Sequence, residues 1–172
     1  MAKNDVKIVS QGGADSVVTR TYRVDDRTTS GLTVTIKPGE PVKQSADGGN
    51  FVIPILTGDP EIGTDMMIGI AASESTETST ADGTVEVHMV IPGVTVMRAK
   101  ATTAANIDTD DKLEALLNDC VTFDDTALTY TVDEDEGNDN NGHGLIIIGG
   151  DIEAGTLDFV LKSGASQAGA AL

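Results

Sequence analysis

The sequence predicts a β-dominated, all-β fold: a small β-barrel or sandwich carrying one short α-helix and an extended N-terminal arm. Three observations lead there. Apolar and polar residues alternate with period two along most of the chain. Turn residues separate these runs at roughly 8–12-residue spacing, as in sandwiches and barrels. Only one segment has helical spacing. At 172 residues the length fits about one domain. Hydrophobic residues make up 39% and aromatics only 3%, with no Trp, so the core is built from Val, Ile, Leu, Met and Ala.

The elements follow in order. Val6 and Ile8 alternate in a short first strand or arm, and Asp5–Ser10 has no strand partner nearby in sequence. Val17–Val24 reads as a strand from which Arg20 and Arg23 project. Leu32–Ile36 places Leu32, Val34 and Ile36 on one face and Thr33 and Thr35 on the other. Lys37-Pro38-Gly39-Glu40-Pro41 is a turn, because Pro presets φ and Gly permits a positive one. Val42–Gln44 returns as a short strand.

Phe51–Thr57 and Met66–Ala72 are strands, the first interrupted by Pro54 and so placed at an edge or a bulge. Residues 73–83 read as a polar loop ending in Asp-Gly. Thr84–Ile91 turns Val85, Val87 and Met89 inward and Glu86 and His88 outward. After Pro92-Gly93, Val94, Val96 and Arg98 alternate with Thr95 and Met97.

In the segment Asp108–Val121, Leu113, Leu116 and Leu117 recur at helical spacing. Asp108 or Thr109 caps the start, and Asp110 and Asp111 suit the positive end of the dipole. A helix of about three turns near 109–119 follows. Val121–Phe123, Leu128–Val132, Gly144–Ile148 and Thr156–Leu161 complete the strands, with Asp133–Gly142 as an acidic turn or loop. The expected organisation is an arm and first strand over 1–28, a β-rich body over 29–162 and a flexible tail over 163–172. Ser45–Asn50 marks a change of composition, but 50 residues are marginal for a separate core.

Net charge is −17, from 11 Lys and Arg against 28 Asp and Glu. Residues 1–50 hold seven basic and six acidic residues; residues 51–172 hold four and 22. So acidic a body repels phosphate backbones and anionic lipid, which argues against nucleic-acid and membrane partners. The start, MAKNDVKIVS, has no apolar signal core, and no apolar run approaches the roughly 20 residues of a membrane span. With one cysteine, no disulfide forms within the chain, and folding in a reducing cytoplasm is expected.

Chemistry-bearing patterns are sparse. Cys120 lies among Asp119, Asp124 and Asp125, a setting expected to leave it inert and mostly buried. His88 and His143 belong to no metal-ligand spacing and read as surface or structural groups. No Gly-x-Ser-x-Gly elbow, Gly-x-Gly-x-x-Gly or Gly-x-x-x-x-Gly-Lys loop occurs. The run Asp133–Asn141 offers carboxylates for weak divalent binding but lacks the spacing of a helix-flanked calcium loop, so a solvated hairpin loop is expected. No catalytic, cofactor or metal residue is assigned, and no enzyme activity is expected.

Thr57-Gly58-Asp59-Pro60, Met67-Ile68-Gly69-Ile70-Ala71-Ala72, Ala81-Asp82-Gly83-Thr84-Val85-Glu86-Val87, Ile91-Pro92-Gly93 and Arg98-Ala99-Lys100-Ala101 follow in order, closed by Leu145–Asp151 and Leu157-Asp158-Phe159-Val160. This pattern, over about residues 30–162, resembles the head decoration, or cement, proteins of tailed phages. The resemblance implies a β-tulip-like barrel that binds the outside of the expanded capsid. It also implies a structural virion protein bridging major capsid protein subunits, commonly as a homotrimer and in some members as a monomer or dimer. Synthesis would be in the host cytoplasm and the final location the outer capsid surface. No family catalytic residues carry over.

The residues expected to make the capsid contact are Val6, Lys7, Ile8, Arg20, Arg23 and Arg27, which join extended segments to the basic cluster. Removing residues 1–28 is expected to abolish contact and leave a soluble fold. Two other classes stay open: an adhesive or head-fibre module binding host glycan or receptor, and a small hydrolase using Asp133, Asp135 and Asp139.

Overall fold

The computed structural model describes residues 6–12, 17–25, 34–45, 49–77, 83–126, 129–136 and 142–166, and ten of the thirteen strands among them are gathered into two five-stranded rings. The first ring is a closed barrel of β2 (Thr19–Val24), β5 (Phe51–Pro54), β4 (Pro41–Gln44), β6 (Met67–Ala71) and β8 (Thr84–Met89). The second runs β9 (Thr95–Ala101), β11 (Thr129–Asp133), β10 (Cys120–Thr126), β12 (Leu145–Asp151) and β13 (Thr156–Leu161). Antiparallel pairing of β13 with β9, from Thr156↔Lys100 to Val160↔Val96, closes it. The rings follow one another in sequence, joined by the turn between β8 and β9. β3 (Val34–Ile36) and β7 (Ser75–Glu77) form a separate two-stranded ribbon.

The β-dominated barrel class with one short helix is what the sequence predicts; the doubling of the barrel is new. β1 (Lys7–Gln11) shows why the N-terminus is more than an arm. It has no partner nearby in sequence, but it pairs antiparallel with β9, Lys7 opposite Arg98 and Gln11 opposite Thr95. Val6, just before it, is 2% exposed in the core of the second barrel. β2 is a stave of the first barrel. Removing residues 1–28 therefore opens one ring and strips an edge from the other, and the expectation of an intact fold after that deletion fails. Arg27 and the tail from 167 onward lie outside the described residues.

Two cores correspond to the two rings. Val24, Ile36, Val42, Val52, Ile68, Ala71, Val85 and Val87 fill the first. The larger core contains Met97, Val121, Phe123, Tyr130, Leu145, Ile147, Leu157 and Phe159, with Phe123 edge-on to both Tyr130 and Phe159. β6 serves both: Ile68 and Ala71 face the first core, Met67 and Ile70 the second, and all five of its residues are buried. A strand buried on both faces is an unbroken apolar run, which is why Met-Ile-Gly-Ile-Ala does not alternate. The spacing of three within each pair comes from a bulge. Met67 and Gly69 pair with consecutive β4 residues, Lys43 and Val42, leaving Ile68 extra.

Several elements depart from the sequence reading. Pro54 is not at a sheet edge: β5 lies between β2 and β4, and Pro54 is its last residue, beyond Phe51 and Val52, which pair with β2. The missing N–H thus falls where β2 no longer runs alongside. The polar stretch 73–83 contains β7, whose Thr76 faces Thr35 with hydroxyls 3.3 Å apart. The helix, α1, is shorter than three turns, Asp110–Ala115. Thr109 is its N-cap, its hydroxyl accepting from Lys112 N. It ends as Asn118 takes φ 74° and donates its N–H to Ile147 O, steering the chain into β10. Leu113 and Leu116 pack on the second core, while Leu117 stays exposed. The Lys37–Pro41 turn is as expected, with Gly39 at φ 88°.

Candidate functional site

The residues singled out for contact divide between the barrels. On β1, Lys7 is exposed and Ile8 half-buried, while Val9 is 50% exposed. Among the described residues β1 is paired only along its β9 side. Val6, Lys7 and Ile8 also line a cleft of about 430 Å³ whose other wall is the mouth of the first barrel: Val17, the Pro38-Gly39 turn, Ile70–Ala72 and His88. The walls are mainly aliphatic, with Lys7 and His88 as the titratable groups. His88 Nδ1 lies 3.0 Å from the Thr19 hydroxyl. A cleft was not anticipated; it arises only when β1 is laid beside the end of β6, a juxtaposition with no local sequence signature.

Arg20 and Arg23 do not form one stripe. Three residues apart on a regular strand, they fall on opposite faces of β2. Both are exposed. Arg20 lies opposite Val87, and the Arg23 guanidinium stacks over the Phe51 ring at 4.7 Å, a cation–π contact. Arg20 shares its face of the strand with Tyr22 and Val24, which pack on the first core, and Arg23 lies on the other face, fixed by stacking.

Where the barrels meet, the loop Thr57–Asp65 lies against the second barrel. Gly58 N donates to Phe123 O, Phe123 N to Asp59 O, and Gly144 N to Pro60 O. Lys43 of β4 reaches this loop and donates to Asp59 at 2.6 Å and Asp65 at 2.5 Å. Lys43 and Asp59 are both buried. Burial pulls the Lys43 amine down, but the two carboxylates more than offset this and leave its pKa raised. Tyr130 of β11 spans the same junction, its hydroxyl donating to Ile55 O at 2.9 Å; burial first, then nearby carboxylates, pushes its pKa up. These groups clamp the joint between the barrels. Sequence reading passed over Lys43 because its partners lie 16 and 22 residues away.

The acidic run is only partly solvated. Asp133 ends β11, Glu134–Glu136 make a 3₁₀ turn, and 137–141, with Asp139, lie outside the described residues. Glu134 is 4% exposed. Its carboxylate accepts from Thr102 N (3.0 Å), Thr103 N (2.8 Å) and Asn106 Nδ2 (3.2 Å), tying down the chain after β9. Burial raises its pKa against the lowering effect of those backbone donors. Asp135 accepts from Asn106 Nδ2 at 2.6 Å. Among the described residues no group of three or more His, Cys, Asp or Glu is arranged to hold a metal ion.

Cys120 departs from expectation in its neighbour. It is half-buried, and the group within bonding distance of its sulfur is a cation: Lys162 Nζ donates to Sγ at 3.3 Å. His143 is buried, with Nδ1 3.2 Å from Cys120 O. No known protein family, characterised protein or solved structure matches the chain.

Proposed function

We propose that the chain is a non-enzymatic structural protein that binds the outer surface of a tailed-phage capsid and stabilises it by bridging major capsid protein subunits. The observation that carries this reading is the display of charge. Lys7, Arg20 and Arg23 are exposed on strands paired into the two barrel sheets, on a molecule whose residues 51–172 hold 22 acidic residues. Spread over different faces, these cations meet acidic patches of more than one partner subunit, as bridging requires, while the acidic remainder repels other copies of the chain. The sequence resemblance supplies the class of partner. Repetition over a lattice makes modest contacts sufficient, because many copies bind together.

Co-sedimentation with expanded tailed-phage heads tests the reading. The intact protein is expected in the pellet, and Lys7→Glu/Arg20→Glu/Arg23→Glu in the supernatant, with circular dichroism confirming that the variant is folded. Intact protein left in the supernatant overturns the capsid reading. A triple variant that pellets as well as the parent overturns the assignment of these residues.

A further inference from the structure

The second barrel brings its thiol and one amine together. Cys120 opens β10 opposite Ile146 of β12, and Leu145 of β12 lies opposite Leu161 of β13. Lys162 follows β13 directly and donates its backbone N–H to Gly144 O at 2.8 Å. This places Lys162 Nζ 3.3 Å from Cys120 Sγ across β12. Both residues are half-buried, so the pair is not sealed from solvent, and the surrounding strands hold the amine against the sulfur. Partly exposed thiols beside a cationic side chain are the ones that oxidise selectively, and a sulfenic acid condenses with a backbone nitrogen to a sulfenamide; a deprotonated amine in contact with the sulfur is a stronger nucleophile than an amide. With no second cysteine in the chain, no disulfide competes within it.

We propose that Cys120 and Lys162 are a modification site: on exposure to hydrogen peroxide they join in a reversible sulfenamide cross-link. In the first step the sulfur attacks peroxide. An S–O bond forms, the O–O bond breaks, sulfur gives up two electrons, and water leaves with the sulfenic acid on Cys120. In the second step the Lys162 ammonium releases a proton to solvent and its nitrogen attacks sulfur. The N–S bond forms, the S–O bond breaks, and the departing hydroxide takes a further nitrogen proton as water. Relative to the thiol and amine the pair loses two hydrogens and keeps no oxygen. The bond spans from the start of β10 to the end of β13, so it staples the second barrel shut at that rim. This site is independent of the capsid contact.

The test uses the full chain treated with hydrogen peroxide and read by peptide mass spectrometry, since the five methionines also take up oxygen. Digestion at acidic residues is expected to yield one linked species containing Cys120 and Lys162, lighter by two hydrogens than the two peptides together. A thiol reductant is expected to separate it, and the linked protein to melt at a higher temperature than the reduced one. In Lys162→Arg, which keeps the cation and loses the primary amine, Cys120 is expected to carry oxygen instead. Retention of oxygen on Cys120 in the parent, absence of any change at Cys120, or the same linked species in Lys162→Arg would each overturn the proposal.

Discussion

Lys43 is the residue on which the joint between the barrels turns. Its partner Asp59 is buried, so removing the amine strands a carboxylate away from water. Lys43→Met is expected to lower unfolding free energy by about 3–5 kcal/mol at neutral pH, read by urea denaturation. The pH dependence has a definite sign. Because the folded pKa stands above 10.5, the stability Lys43 contributes is complete below 10.5 and lost as pH rises through the folded value. The Met variant lacks that alkaline loss. Glu134 has the opposite logic. Replacing it with Ala takes the carboxylate from the Thr103 N–H, while the Thr102 N–H keeps Val132 O as acceptor, at about 1–3 kcal/mol. Its folded pKa is raised, so the fold holds the proton more tightly than the unfolded chain, and Glu134's contribution is largest below its ordinary 4.5 and shrinks as pH climbs through the folded value. The cost of Glu134→Ala, measured at several pH values, should therefore decrease from pH 4 to pH 7.

At the level of elements, β6 ties the two cores together, and its glycine shows how closely. A Cβ on Gly69 would sit 2.1 Å from His88 O, a backbone atom of the paired strand β8. Gly69→Ala must therefore push β6 and β8 apart, and several kcal/mol of stability should be lost on thermal denaturation, more than the about 1–3 kcal/mol usual for overpacking at a yielding side chain. Much of this layer is legible in the sequence. Strands such as Thr84–Met89 and Thr156–Leu161 declare themselves by alternation, because one face is in a core and the other in water. β6 is legible as a strand but not as a shared wall, since an apolar run does not say what lies on either side. β7 is hidden because Ser-Thr-Glu has no apolar face, and its pairing is decided by β3. The candidate site is less legible still. The cleft, the Lys43 clamp and the Cys120–Lys162 pair each join residues from separate strands, and nothing local in the sequence marks them. The contact residues could be named from charge and pattern, but their division between two barrels, and the opposite facing of Arg20 and Arg23, required the topology.

On the scale of the molecule, two rings sharing a strand wall and a bonded junction should behave as one cooperative unit. The two tyrosines allow this to be checked: Tyr22 packs against the first core and Tyr130 is buried in the second, with no Trp to mask them. Tyr130→Phe leaves Tyr22 as reporter of the first barrel, and Tyr22→Phe leaves Tyr130 for the second. Each variant's tyrosine fluorescence and far-ultraviolet circular dichroism are expected to give the same urea midpoint, the agreement between probes that marks two-state unfolding. Separate midpoints would mean the barrels melt independently. The pairing of β1 with β9 carries a further consequence. A ribosome releases Lys7 roughly ninety residues before Arg98, and at ~5–20 residues per second the opening strand waits ~5–20 s for its mate. The first ring can assemble in that interval, whereas β1 is seated only once β9 has appeared. Birth order and spatial order thus differ: β1 is made before the strands of the first ring and fastened after them.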